Sequence, residues 1–393
     1  MSGNRFDFLE FSDDRQPERP AAPDDGIEET GINASPAGLR GLVGPDGRPV
    51  SEVGASSDPR GYQDFLDQNQ SDDPLNGPRD QESRGATMRP MEVIGERGER
   101  AGQFNFPTGI AVDSRGILFV ADSYNHRIQR ITPDGAVSAI GSKGIGYAQF
   151  LSPQDVAVDR RDAFYVVEQG NHRVQKFSAT GRQELIFGRR GHLPGEFFGP
   201  TSIAVSPMSG DIYVADTGNF RVQRFDQKGR FLSQITSSGK GLISPQSVEV
   251  DHHENVYIVD TLGHRIIQCD PTGREFLAIG RRRRTDTDWI DAPFIEPRAC
   301  AVDIAGFLFV ADGGEPLGQE GKPAGRIHIV DPISRRNETA IEHLGRNLDR
   351  MTRPTGIAIA PAFTPDPQTG LLRNEIYVAD TMNHRIIRMG WVG

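Results

Sequence analysis

A six-bladed, all-β propeller is what the sequence predicts, and three observations predict it. The first is a phrase that returns six times along the chain: an apolar strand closing on an acid, a short polar stretch, an arginine, then a second apolar strand. It reads LFVADSYNHRIQRI from 118, FYVVEQGNHRVQKF from 164, IYVADTGNFRVQRF from 212, VYIVDTLGHRIIQC from 256, LFVAD and GRIHIV around an interruption from 308, and IYVADTMNHRIIRM from 376. The second is its period. Asp122, Glu168, Asp216, Asp260, Asp312 and Asp380 recur almost regularly, with the spacing lengthening only toward the end, close to the roughly 40–50-residue recurrence of four-stranded propeller blades. The third is period-2 alternation rich in Val, Ile, Phe and Tyr, cut by turns such as Pro133-Asp134-Gly135, with no long helical pattern.

Each unit opens on a Pro-headed strand: PTGIAVD at 107, PQDVAVD at 153, PTSIAVS at 200, PQSVEVD at 245, PRACAVD at 297 and PTGIAIA at 354. These are the expected inner strands, and the recurring phrase supplies strands two and three. The outer strands of blades one and two end at Ile140-Gly141 and Phe187-Gly188, at one and the same distance ahead of Pro153 and Pro200. Ile94-Gly95 stands at that same distance ahead of Pro107 with no blade before it, while blade six has no outer strand after Met389. Residues 92–95 are therefore expected beside 385–389 as the missing fourth strand of blade six, a latch that removes an open sheet edge. The propeller domain is expected to span 91–393.

The wording Asn125-His126-Arg127, Asn171-His172-Arg173 and Asn383-His384-Arg385 resembles the NHL repeat family, whose members are six-bladed β-propellers. The resemblance covers 91–393. Two copies depart from it. Blade three carries Phe220 in the histidine slot, and in blade five an insertion separates Asp312 from Arg326, whereas every other copy places the arginine at the fifth position after its acid. A loop grafted onto a regular scaffold is a place for something specific to the chain.

Residues 1–90 are a different material, an acidic tail with 18 acidic and 9 basic side chains and 10 of the 27 prolines. It thus holds −9 of the total charge of −10, which leaves the propeller close to neutral. With few β-branched or aromatic residues it cannot bury enough apolar surface to offset its ordering entropy, and it is expected to be disordered. Two short echoes interrupt it: Asp7-Phe8-Leu9-Glu10, inside the run from Phe6 to Phe11, and Asp64-Phe65-Leu66-Asp67. Apolar anchors flanked by acids suit a short helix-in-groove docking motif, with Phe6, Phe8, Leu9, Phe11, Phe65 and Leu66 as the anchors.

No apolar run approaches the ~20 residues of a membrane span, and the acidic N-terminus shows no secretory signal, so a cytoplasmic location is expected. Cys269 and Cys300 occupy slots equivalent to Ile131 and Ile110 and read as small core hydrophobes, not as a disulfide or metal pair. His126, His172, His264 and His384 recur at one slot of successive blades, which a structural hydrogen-bonding role explains and a catalytic role does not. The recurring acid and arginine, Asp122 with Arg127, Asp216 with Arg221, Asp260 with Arg265 and Asp380 with Arg385, read as ion pairs tying two strands of a blade. Such pairs cost most when only one partner is removed.

Chemistry would have to lie near the axis, where the inner strands converge. The resemblance implies two precedents there, lyases with a histidine-held metal and lactonases with carboxylate-bound calcium. The six inner strands contain no histidine, and their ionisable residues are chiefly Asp155, Glu249 and Arg298. Two carboxylates could hold calcium through oxygen, but neither a catalytic residue nor a cofactor is assigned.

Binding by the loops is the stronger expectation. The loop between strands two and three shares a face with the links between blades. That face should gather Tyr124, Phe220 and the insertion 313–325 with Glu315. The links add Arg97, Arg100, Lys143, Arg189, Arg190, Arg281, Arg282, Arg283, Arg284, Trp289, Arg346, Arg350 and Arg353. Arginines among Tyr124, Tyr147, Phe220 and Trp289 are suited to single-stranded RNA. Against that, the propeller is not strongly basic, and Asp286, Asp288 and Asp291 follow the four arginines. The sequence therefore predicts a monomeric, non-catalytic scaffold that binds a protein partner through its rim loops. RNA binding and an axial-metal lyase or lactonase are the alternatives.

Overall fold

The computed structural model describes residues 87–236, 241–280, 289–291, 294–313, 325–331, 336–341, 351–360 and 374–392. Contacts divide the chain into Met1–Asp80 and Gln81–Gly393, and every described residue belongs to the second unit. The tail anchors Phe6, Phe8, Leu9, Phe11, Phe65 and Leu66 lie outside the described residues, as do Arg281, Arg282, Arg283, Arg284, Glu315, Arg346 and Arg350.

The chain enters through β1 (Thr87–Ile94). Blade one follows as β2 (Pro107–Val112), β3 (Leu118–Asp122), β4 (Arg127–Ile131) and β5 (Val137–Ile140). Blade two is β6 (Pro153–Val158), β7 (Phe164–Glu168), β8 (Arg173–Phe177) and β9 (Gln183–Phe187). Blade three is β10 (Ser202–Val205), β11 (Ile212–Asp216), β12 (Arg221–Phe225) and β13 (Phe231–Ile235). Blade four has five strands, β14 (Pro245–Val250), β15 (Val256–Asp260), β16 (Arg265–Cys269), β17 (Glu275–Gly280) and β18 (Trp289–Asp291). Blade five is β19 (Pro297–Val302), β20 (Leu308–Asp312), β21 (Arg326–Asp331) and β22 (Arg336–Ile341). Blade six is β23 (Pro354–Ala360), β24 (Glu375–Asp380) and β25 (Arg385–Val392), with β1 as its outer strand. The result is an all-β, six-bladed propeller.

Burial grades outward through each blade. β3, β7, β11, β15 and β20 are buried at every position, because each is flanked within its sheet and covered on both faces by neighbouring blades. That explains why these segments read as continuous apolar runs. Outer strands such as β9, QELIF, alternate because one face meets water. The core consists of clusters wedged between blades: Phe119 and Ala121 of blade one pack with Val156, Phe164, Val166 and Phe177 of blade two. Ile110, Leu118 and Val120 pack with Ala358, Ala379 and Ile386 of blade six. Phe104, Phe150 and Phe197, just ahead of the inner strands, are fully buried. Gly141 and Gly188 follow the outer strands at φ +95° and +90°, and a Cβ at either would collide with the ring of Phe150 or Phe197.

β1 pairs antiparallel with β25, from Thr87 opposite Val392 to Ile94 opposite Ile386, with a bulge between Pro90 and Glu92. The strand begins at Thr87, ahead of the boundary drawn at 91. The other departure from the four-strand pattern is β18, which runs parallel to β17 with Trp289 opposite Ala278. Both cysteines are free thiols buried in the core. No helix of the described residues is long and apolar enough to cross a membrane.

Candidate functional site

The rim face is built by the recurring phrase. After β3 the chain makes a single 3-10 turn, Ser123–Asn125, and closes it with His126 in the left-handed region at φ 54°. His172, Phe220, His264 and His384 take the same conformation at φ 52–55°. This turn sets the acid of strand two directly across from the arginine of strand three. Asp122 has no exposed surface. Its carboxylate accepts from the Asn105 N–H at 2.7 Å, Asn125 Nδ2 at 2.9 Å, Arg127 Nε at 2.7 Å and Gln129 Nε2 at 2.9 Å. Arg127 also donates to the carbonyls of Glu99, Arg100 and Gln103 in the preceding link. Glu168 with Arg173, Asp216 with Arg221, Asp260 with Arg265 and Asp380 with Arg385 form the same ion pair at 2.7–2.9 Å. In blade five Asp312 lies across from Arg326, and His328 Nε2 is 3.3 Å from its carboxylate. In blades one to four the arginine of the pair also bonds the preceding link, which ties those described links to the blade.

The histidines stitch blade to blade. The Nδ1 atoms of His126, His172 and His384 accept the backbone N–H groups of Ser152, Gly199 and Phe106 at 3.0, 3.0 and 3.1 Å, the last across the ring closure. Burial holds all three imidazoles below their usual pKa, helped by Lys143, Arg190 and Arg97 respectively, which keeps the accepting nitrogen unprotonated. Blade three dispenses with the bond. Where Phe220 stands, the corresponding Ser244 N–H donates instead to Asp260 at 2.7 Å.

With those polar groups internally bonded, the rim exposes apolar and aromatic side chains beside charged ones such as Arg97, Arg100, Lys143, Arg189 and Arg190. Fourteen large apolar side chains are exposed among the described residues. Nine of them, Tyr124, Ile145, Tyr147, Leu193, Phe198, Phe220, Ile243, Leu262 and Met382, lie on this one face, in loops between strands two and three or in links between blades. Two aromatic clusters form. At the junction of blades two and three, His172 stacks on Phe198 at 5.9 Å, His192 lies 5.6 Å from the same ring and the Arg190 guanidinium covers it at 5.6 Å. At the junction of blades six and one, Phe106 meets Tyr124 edge-on at 4.7 Å and His384 at 4.6 Å.

Of the rim residues expected from the sequence, Tyr124 and Phe220 are exposed at 59% and 57%. Arg190 joins Phe198 in the first cluster, and Arg189 pairs with Glu196 at 2.8 Å. Trp289 belongs to β18. Sequence reasoning placed Met382 on this face with its turn Thr381-Met382-Asn383 and missed Phe198, Leu193 and Leu262. The doubled Phe197-Phe198 carried a signal, since only the first can fill the core slot shared with Phe104 and Phe150.

The second feature is an axial channel of about 230 Å³ walled by the inner strands of all six blades. Asp155, Glu249 and Arg298 line it, with the neutral Gln154, Thr201, Gln246 and Thr355. Burial raises Asp155 to about 7 against the hydrogen bonds it accepts from Ile203, Ser202 and Val156. Burial, then repulsion from Asp155 and Asp251, raises Glu249 to about 8. Arg298 is lowered by burial and bonded to Glu296, and its Nε has no acceptor among the described residues. No histidine lines the channel, and among the described residues no group of three or more His, Cys, Asp or Glu is placed to hold a metal ion.

The NHL repeat model matches residues 104–131, 150–177 and 197–225, one stretch in each of blades one to three. The chain thus carries NHL repeats on a six-bladed propeller. Among solved structures, a protein of unknown function from Bacteroides thetaiotaomicron is similar at 16% identity and a TM-score of 0.57, over 78% of this chain and 76% of that one. A streptogramin B lyase is similar at 12% identity and a TM-score of 0.51, over 78% and 98%. Virginiamycin B lyase from Staphylococcus aureus is similar at 13% identity and a TM-score of 0.51, over 78% and 100%. At these identities the likeness is one of fold. No curated protein matches the sequence.

Proposed function

We propose that this protein is a non-catalytic binding scaffold that docks a protein partner on the rim face of its propeller. One observation carries the reading: among the described residues, nine of the fourteen exposed large apolar side chains lie on that face. Exposed aromatic clusters such as those at Phe198 and Tyr124 are the features that mark interaction sites, and aromatic anchors beside arginine are what interface hot spots are made of. The saturated acid–arginine pairs support it further, because loops ordered in advance lose little entropy on docking. The acid-flanked Phe8-Leu9 and Phe65-Leu66 pairs of the tail supply a second, weaker docking element, which orders as it binds.

The test is the chain with Leu193, Phe198 and Phe220 changed together to Ser, compared with the native chain for co-purification from its own cells and for melting temperature. The expected result is loss of one defined protein partner with melting unchanged within about 2 °C. Retention of that partner by the variant contradicts the reading, and so does recovery of RNA in place of protein, which would move the function to nucleic-acid recognition by the same face.

A further inference from the structure

The links that carry the chain from blade to blade fold alike at three consecutive junctions. Arg97 bridges Phe104 in parallel, Lys143 bridges Phe150 and Arg190 bridges Phe197. In each link the glycine after the cation donates its N–H to the carbonyl of the same phenylalanine, at 2.9–3.0 Å. One turn therefore sets a basic side chain at one slot of each junction, beside the histidine of the blade just completed: Arg97 acts on His384, Lys143 on His126 and Arg190 on His172. All three cations are exposed. Among the described residues none has a carboxylate partner, although the adjacent Arg189 holds Glu196 at 2.8 Å. The link 142–152 contains no acid, and in the link 189–199 the only acid is the Glu196 that Arg189 holds.

Each of these histidines accepts a backbone N–H at Nδ1, so the neutral ring carries its proton on Nε2, where it can only donate. His126 and His172 are half-buried, and each presents that donor beside a full positive charge. Donor and cation together suit a carboxylate, through charge-assisted bonds that are stronger than neutral ones. Apolar side chains flank both positions. Ile145 and Tyr147 are exposed in the same link as Lys143, and Leu193 and Phe198 in the same link as Arg190, whose guanidinium lies 5.6 Å over the Phe198 ring. Ile145 and Leu193 offer no face on which a base could stack, and Glu96 and Glu99, on the link that carries Arg97, oppose a continuous phosphate backbone. Peptide is therefore favoured over nucleic acid. We propose that the rim arc from the junction of blades six and one to the junction of blades two and three binds a segment of the protein partner in which carboxylates alternate with apolar side chains. The carboxylates take the Lys143 and Arg190 slots, with Arg97 extending the row, and the apolar side chains cover Ile145, Tyr147, Leu193 and Phe198. That occupancy rests on the reading of the rim as a protein-docking face. Exposed charges set specificity and association rate more than affinity, so the apolar contacts hold the segment and the cations select it.

The test uses the full chain and three fluorescent probes: a short peptide alternating glutamate with leucine, the same peptide with glutamine for glutamate, and single-stranded oligouridine. The native chain is expected to bind the glutamate peptide at least about tenfold more tightly than the glutamine peptide, by a margin that shrinks as salt is raised. Lys143→Glu with Arg190→Glu should abolish that preference and leave the melting temperature within about 2 °C of native, since both side chains are exposed. Arg182→Glu with Arg230→Glu, which makes the same change of net charge in turns between strands three and four on the opposite face, should keep the preference. In the protein's own cells, Lys143→Glu with Arg190→Glu should release the partner that the native chain retains. A native chain that retains no rim-dependent protein fails the docking reading, and the acidic segment with it. A partner lost when Leu193, Phe198 and Phe220 become Ser but kept by Lys143→Glu with Arg190→Glu leaves docking standing and overturns the acidic segment alone. Equal binding of the two peptides, a glutamate preference that survives the rim changes, or tighter binding of oligouridine overturns it as well.

Discussion

Blades one and two and blades four and five share four antiparallel strands, to which blade four adds β18, and differ in how their polar groups are satisfied. In blade one the acid receives four donors and Arg127 reaches three link carbonyls. Blade two repeats this with Glu168, Arg173 and Gln175. In blade four Ile267 replaces the glutamine, and Arg265 keeps a single link carbonyl, that of Gly241. In blade five His328 faces Asp312, and an inserted stretch separates acid from arginine. The family matches fall in blades one to three, whereas Glu249 and Arg298 belong to four and five. The self-saturated repeat is thus confined to part of the ring, and the channel charges Glu249 and Arg298 stand in blades that depart from it.

The comparison can be broken or sharpened by substitution. Closure should matter most: deleting 87–94 exposes the edge of β25 and should lower the melting temperature by more than about 10 °C, while removing 1–80 should leave it unchanged. Next is the buried pair. Arg127→Ala strands a fully buried carboxylate and should cost about 3–5 kcal/mol in denaturant unfolding, against roughly half that for Arg265→Ala, whose guanidinium makes fewer bonds. Equal costs would mean the blades are equally saturated. The histidine slot should show a smaller asymmetry. His172→Phe removes the acceptor of the Gly199 N–H and should cost about 1 kcal/mol. Phe220→His should change stability by less than about 0.5 kcal/mol, because Ser244 already has Asp260.

The pH dependence should be the gentlest effect, and it has two limbs. His126, His172 and His384 have folded values below their unfolded ones, so the stability they confer is complete above about 6.5 and is lost as pH falls below it. Asp155 and Glu249, raised to about 7 and about 8, work the other way. Their contribution is present below about 4 and is lost as pH rises through 7 and 8. Thermal melts should therefore peak near neutrality, and Glu249→Ala should flatten the alkaline limb alone.

Six blades were legible in the sequence because each copy repeats both strand period and turn chemistry, so one weak signal is read six times. The recurring histidine was legible as a structural group for the same reason. The first half of β1 was not, because Thr87 to Pro90 carries no alternation and Met91 is bulged out of register. Nor was β18, since so short a strand pairing in parallel leaves no local pattern. In the channel the acids could be picked out by position, but their perturbation could not. Desolvation of Glu249 arises only when six strands from distant parts of the chain converge. The rim aromatics escaped for a related reason: Phe198 differs from Phe197 only in which side of the link it faces.

The most direct measurement of rim docking is photo-crosslinking of the full chain in its own cells from position 220 on the rim and, in parallel, from position 304, where Ile304 is 76% exposed on the opposite face. The expected result is one defined protein adduct from 220 that disappears when Phe198 is also changed to Ser, with none from 304. The same adduct from both faces, or from neither, would contradict docking on the rim.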